Sequence, residues 1–280
     1  ERLVISGDDL REFYYTFKVS PARARRNALA VVYDAEDFRE FTCWDPALAG
    51  RRVVPALSAL AMGDSLAVEL AQASHLGLLQ KEVGACRASE LVVYRAPFPR
   101  GPFWEILAID DHVGIQAVSS SSPVEAWRDR EVFSKADEVY PKVGLCQHPK
   151  KKVREADNHT VVGGEIEGRI GTIAAPRLRT AVLIALTLEQ IRLRTSTPRL
   201  FTCLVSCWVQ VFLYRRPLLS IFSEVFRIHD TVEAARSAPG GEAVFRLTPV
   251  VLNELLCACL LAPFASTNLR AKPAEWVYGT

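Results

Sequence analysis

The sequence carries almost no net charge: 34 Lys and Arg stand against 32 Asp and Glu, a formal +2. That balance excludes a whole-surface field driving the chain onto a polyanion, so any nucleic-acid site must be a local basic patch. The chain also lacks repeats and low-complexity runs. With 49% hydrophobic and 24% charged residues, 15 Gly and 16 Pro, its composition excludes disorder, collagen and coiled coil. No apolar run is suited to a bilayer. The stretches Leu200 to Tyr214 and Val250 to Ala265 are too short or too polar to span one, the second carrying Asn253 and Glu254. The opening ERLVISGDDL has neither a basic segment nor a long apolar one, so no secretory signal is read there. Lacking an initiator Met and starting in a strand-like segment, the sequence is expected to be a fragment of something longer. Seven cysteines without a paired CxxC exclude a zinc-ribbon framework. They read as reduced, mostly buried thiols of an intracellular protein of cytoplasm or nucleus, with no membrane partner.

Residues 2 to 8 form an apolar run that ends in two carboxylates, which predicts a buried strand delivering Asp8 and Asp9 at its end. Arg11 to Phe17 is aromatic and short-helical, PARARRN at 21 to 27 is a basic helix start, and VVPALSALAMGD ends a second strand at Gly63. From Asp64 to Val83, Leu66, Leu70, Ala73, Leu76 and Leu79 recur at helical spacing, with Asp64 and Ser65 as expected N-caps. LVVYRAPF at 91 to 98 reads as a strand. FWEILAIDDHVGIQAV at 103 to 118 has an apolar arm on each side of Asp110 and Asp111, which predicts a hairpin with those two carboxylates at its turn and His112 as its cap. A helix is expected over 123 to 142, then three short strands near Lys152, Val161 and Ile170. After Pro176, successive amphipathic helices are cut by Pro198 and Pro217, and another occupies about 248 to 263. SSSSP at 119 to 123 and SAPGGE at 237 to 242 read as loops. The expected class is α+β: a small antiparallel sheet with packed helices over 1–175, then an all-helical region over 176–280.

Apolar strands rarely carry aspartates without a reason. Asp8-Asp9 at a strand end and Asp110-Asp111 at a hairpin turn would repel one another on convergence unless cations sit between them. Two divalent ions, Mg²⁺ by preference with Mn²⁺ as substitute, are the usual solution in nucleotidyl transfer and nucleases. The plainer alternative is that each pair is a solvated turn or cap.

Taken in order, these segments resemble the palm of reverse transcriptases. DDLREFYYTFKV resembles that family's motif A, and its aromatic spacing makes Asp9, rather than Asp8, the implied metal ligand, with Tyr14 as the gate that excludes a 2′-hydroxyl. SALAMGDSLAVELAQASHL resembles motif B, a turn at Gly63 opening a long helix beneath the nucleotide. LAIDDHVGI resembles motif C, implying Asp110 and Asp111 as metal ligands and catalytic groups with Asp9. GLCQHPKKK resembles motif D, implying Lys150 and Lys151 near the triphosphate, and HTVVGGEIEG resembles the primer-gripping hairpin. The resemblance implies an RNA-directed DNA polymerase with two Mg²⁺ ions, an RNA or DNA template with primer, and deoxynucleoside triphosphates. The unusual DDH and the helical tail resemble DIRS-type and LTR-type retroelement polyproteins. There a thumb or connection region leads into a ribonuclease H domain, and the final WVYGT resembles the strand entering it.

The sequence departs from that pattern in three places. Ala108 stands where Tyr or Phe is usual before motif C, Met62 stands where Gln is usual before the motif B glycine, and Val68 lies near the place of an expected proline. Only eight residues precede Asp9, so the fingers strands are expected to be largely absent. The alternative function is therefore a decayed, inactive retroelement fragment serving at most as a structural or interaction piece. For nucleic acid, Arg23, Arg25, Arg26, Arg177, Arg179, Arg192 and Arg194 are the candidate phosphate contacts.

Overall fold

The computed structural model describes residues 2–119, 123, 126–238 and 243–271. The strand expected at WVYGT, and parts of the loops expected at 119–123 and 237–242, lie outside them. The chain divides into two compact units, Ile5–Glu155 on one side and Glu1–Val4 with Ala156–Thr280 on the other.

The first unit is built on a four-stranded sheet. β1 spans Arg2–Asp9, and after it come a 3₁₀ turn at Phe13–Thr16, a single helical turn α1 (Pro21–Ala24), and the two-residue strands β2 (Tyr33–Asp34) and β3 (Arg52–Val53), which pair with each other. α2 (Ala67–Leu78) runs on into a π turn, Leu79–Val83, stopped by Gly84 at φ 71°. β4 (Phe103–Ala108) and β5 (Asp111–Val118) form the expected hairpin, antiparallel from Phe103↔Gln116 to Ala108↔Asp111. α3 spans Arg128–Lys142 and β6 spans Val153–Ala156, giving the sheet order β4-β5-β1-β6. α3 packs closely on the hairpin because Gly114 has no side chain: a Cβ there would lie 2.6 Å from Phe133 and 2.9 Å from Phe103. Leu10, Phe13, Leu79, Phe103, Phe133 and Tyr140 close this core.

The second unit has its own core. β7 (Asn158–Val161), β8 (Gly164–Glu167) and β9 (Thr172–Ala174) make a meander, extended by β12 (Ser266–Asn268) to the order β12-β9-β8-β7. Between them run α4 (Arg177–Leu193), α5 (Pro198–Phe212), the short α6 (Glu224–Arg227), α7 (His229–Arg236) and α8 (Pro249–Leu261). The two-residue strands β10 (Thr195–Ser196) and β11 (Phe245–Arg246) pair beside them. α5 buries Phe201, Leu204, Trp208 and Val211 at helical spacing, and the Trp208 indole N–H donates to Thr187 Oγ1 at 2.8 Å. No helix among the described residues is long and apolar enough to cross a membrane.

Several expectations are corrected. Residues 53 to 64 do not form a strand to Gly63: beyond Val53 they make only isolated bridges, Ala28↔Ala56 and Lys18↔Ala59. LVVYRAPF is no strand either. Pro97 and Pro99 cannot donate to a ladder, Tyr94 is 83% exposed, and one bridge, Leu91↔Glu105, is all it forms. Asp64 does not cap α2. Its carboxylate holds the Arg23 guanidinium, and Leu66 occupies the cap position with φ 72°. Four strands, not three, lie between Lys152 and Pro176. Only Cys86 and Cys259 are buried; Cys203 and Cys207 are exposed on α5, away from the buried Trp208 stripe. α4 is weakly amphipathic, exposing Leu178, Val182 and Leu186.

Candidate active site

Because side chains alternate along a strand, the end of β1 sends Asp8 and Asp9 in opposite directions. Asp8 is buried, and its carboxylate accepts two hydrogen bonds from Arg154 Nη2 at 2.8 and 3.1 Å. Burial raises the Asp8 carboxyl above its ordinary range, with Arg154 opposing. Asp9 lies on the hairpin side, 15% exposed, and ion-pairs with the Lys151 ammonium. The backbone fixes this proximity: Leu10 N–H donates to the Asp110 carbonyl at 3.1 Å, and His148 N–H donates to the Asp9 carbonyl at 2.7 Å.

The three predicted aspartates are therefore brought together. Burial raises the Asp111 carboxyl first, and the neighbouring Asp110 and Asp9 carboxylates raise it further, while Lys151 works against them. The donor set suits a hard divalent cation: three carboxylates that repel one another and have drawn an ammonium onto Asp9. Lys151 belongs to the cluster, whereas Lys150 is exposed and makes no ion pair among the described residues. Tyr14 is half-buried on the 3₁₀ turn against the core that contains Phe13. Gly63 takes φ +87°, a conformation that favours glycine, and a Cβ there would meet nothing within 4 Å. Met62 is 66% exposed, and Ala108 pairs with Asp111 at the mouth of the hairpin.

Two supports of the cluster were not foreseen. Arg154 Nη2 also donates to Asp137 at 2.6 Å. Burial opposes ionisation of Asp137, but hydrogen bonds from Lys152, Gln147 and Arg154 hold its carboxyl below the usual range. The end of β1 is thus fastened to α3 through an Asp8–Arg154–Asp137 chain. The second support comes from α2, where Gln72 and His75 lie three residues apart on one face. Gln72 accepts the Ile109 N–H at 2.6 Å and donates to the Leu107 carbonyl at 3.2 Å. His75 Nδ1 lies 2.7 Å from the Ile109 carbonyl and Nε2 lies 2.9 Å from the Tyr140 hydroxyl. A carbonyl only accepts, so Nδ1 carries the proton. Burial lowers the His75 pKa to about 4, leaving a neutral ring. Polar residues at i and i+3 on one face of a largely apolar helix were the signal for this clamp. His112, expected to cap the hairpin, is instead buried on Glu105.

No family model matches the chain, and no curated protein matches it. Solved structures do. A foamy viral protease-reverse transcriptase in complex with an RNA/DNA hybrid matches with a TM-score of 0.58 at 13% identity, covering 93% of this chain and 27% of that one. Foamy viral protease-reverse transcriptases in two complexes with double-stranded DNA match at 0.55 and 0.57, each 13% identical. They cover 97% of this chain and 37% and 44% of theirs. This chain thus spans less than half the length of each of these three proteins, and at that identity the likeness is one of fold. The mixed helix and sheet architecture, with its small antiparallel sheets, is a reverse transcriptase-like fold.

Proposed function

We propose that the chain is a retroelement RNA-directed DNA polymerase fragment, of DIRS or LTR type, which transfers nucleotides to a primer 3′-hydroxyl. The observation that carries this reading is the convergence of Asp9 with Asp110 and Asp111 from segments far apart in sequence. In this reading 1–175 is the palm, and 176–280 is the thumb or connection that leads to a ribonuclease H domain. Asp9 and Asp110 would hold two Mg²⁺ ions, and Asp111 would support them. Bound there, the ions would supply Lewis-acid charge neutralisation at the primer hydroxyl and the phosphates. The protein's own part is positional. The Gln72 and His75 clamp sets the turn that carries Asp110, and the Arg154 anchor sets the strand end that carries Asp9. Tyr14 would exclude a ribose 2′-hydroxyl, Gly63 would lie under the nucleotide, and Lys150 and Lys151 would place positive charge near the triphosphate. Nucleic acid in the complexes of the fold neighbours supports a template–primer partner.

One observation favours the inactive alternative: the Lys151 ammonium already pairs with the Asp9 carboxylate and so competes with a cation for it. The test is primer extension on an RNA template with Mg²⁺ or Mn²⁺, alongside Mn²⁺ binding, for the chain and its Asp110→Asn variant. Losing several kcal/mol of metal stabilisation predicts a fall in extension of about 1000-fold in the variant. Metal binding that the variant loses, without extension by either protein, establishes the inactive reading. A folded chain that neither extends nor binds metal rules out the site.

A further inference from the structure

Behind the hairpin lies a second group of ligand-bearing side chains that the polymerase reading does not use. Cys86 follows the π turn, Glu105 is on β4 and His112 on β5, and all three are completely buried. Among the described residues they are the one His, Cys, Asp or Glu grouping whose ligand atoms all lie within 4.8 Å of one another. Glu105 is central: its Oε1 lies 2.9 Å from His112 Nε2 and 3.8 Å from Cys86 Sγ, and its Oε2 accepts the Cys86 N–H at 2.6 Å. Cys86 adopts φ 52°, an uncommon backbone for a residue with a side chain.

We propose that Cys86 Sγ, Glu105 Oε1 and His112 Nε2 form a site for a thiophilic divalent cation of the zinc class. Zinc bonds of about 2.0 to 2.3 Å put tetrahedral ligand atoms roughly 3.3 to 3.8 Å apart. The sulfur-to-oxygen edge already has that length, and the nitrogen-to-oxygen edge needs to open by a few tenths of an ångström. The cation displaces the Cys86 thiol proton to solvent, and the proton between His112 Nε2 and Glu105 Oε1 moves to His112 Nδ1, so one proton is released per ion. A thiolate, a carboxylate and a neutral imidazole then balance its two charges, so a fully buried site carries no net charge. Mixed sulfur, nitrogen and oxygen donors suit zinc, whereas magnesium prefers oxygen and water. The two sites of this unit would thus select different ions. His112 Nδ1 has no hydrogen-bond partner, so it is the ring nitrogen free to take the proton when Nε2 binds the metal. The ion would pin the strands that present Asp110 and Asp111 to the loop that follows α2. This inference does not depend on polymerase activity.

Since all three ligands are buried, the test refolds the full chain with Co²⁺ as probe. One equivalent should give a thiolate-to-cobalt charge-transfer band that Zn²⁺ displaces and excess Mg²⁺ does not. The band should vanish in Cys86→Ser and survive in Asp110→Asn, which separates this site from the aspartates. A second measurement, X-ray absorption on the zinc-loaded native chain, needs no variant. It should find one sulfur at about 2.3 Å with nitrogen and oxygen at about 2.0 Å. No uptake by the folded chain, a shell with no sulfur or several, or a band that persists in Cys86→Ser would each overturn the site.

Discussion

Asp129 is a carboxylate that the fold buries without fully satisfying it. It lies in the first turn of α3, completely buried, where the Ser6 hydroxyl donates to Oδ2 at 2.6 Å while Oδ1 has no partner. Burial pushes its carboxyl up from 3.8 to about 6; the Ser6 bond opposes this, Glu155 adds to it, and Arg154 and Arg130 counter it weakly. Between those two values the folded chain binds more protons than the unfolded one. Stability contributed at this residue is therefore fully present below about pH 4, falls as pH rises to about 6, and is flat above. A shift of that size corresponds to about 3 kcal/mol. Urea unfolding of the native chain and of Asp129→Asn across pH 4 to 7 should give curves that diverge by that amount. Parallel curves would mean that Asp129 titrates normally. The same scale shows why the candidate site was only partly legible. Asp9, Asp110 and Asp111 stand out because carboxylates interrupt apolar strands. Arg154 and Asp137 look like any surface charges in sequence, and only the pairing of β6 beside β1 makes them the anchor of Asp8.

Among the elements, α8 shows how a polar residue in an apolar helix gains a purpose from its neighbour. α6 begins without a side-chain cap of its own, and Glu254 of α8 supplies one. It accepts the Glu224 N–H at 2.9 Å and the Val225 N–H at 2.8 Å. Helix N-termini leave such donors unsatisfied and favour negative charge. Glu254→Ala should therefore destabilise the chain by about 2 kcal/mol, read as a lower urea midpoint at unchanged slope. An unchanged midpoint would show that water serves α6 equally well. Elements with a full period were legible: the β4–β5 hairpin from its two apolar arms, α2 from its leucine spacing, and α5 from its Phe201–Leu204–Trp208–Val211 stripe. The runs at 53 to 64 and 91 to 98 misled because apolar β-prone residues specify a strand only where a neighbouring edge can pair with them. The first run meets only isolated partners in the loop before it, and the second is interrupted by proline. Asp64 has the residue type and place of a cap, yet Arg23, 41 positions away, outbids the local N–H groups.

For the whole molecule, a net charge of +2 means that the proposed template binding must rest on individual arginines. Three of the seven candidates are already engaged: Arg23 with Asp64, Arg177 with Glu165 and Glu167, and Arg192 with Glu189. Arg25, Arg26, Arg179 and Arg194 are exposed, and none makes an ion pair among the described residues. A side chain whose charge is already neutralised displaces few counterions from a phosphate, so the salt dependence should follow the unpaired set. Each phosphate neutralised contributes about −0.9 to the slope of log affinity against log salt. Replacing Arg25 and Arg26 together by alanine should flatten that slope by about 2, while Arg192→Ala should leave it unchanged, in fluorescence anisotropy titrations of a DNA duplex from low to physiological salt. Equal effects of the two changes would show that surface ion pairs open on binding at little cost, as weak exposed pairs can. In that case all seven arginines, rather than four, would be open to phosphate contacts.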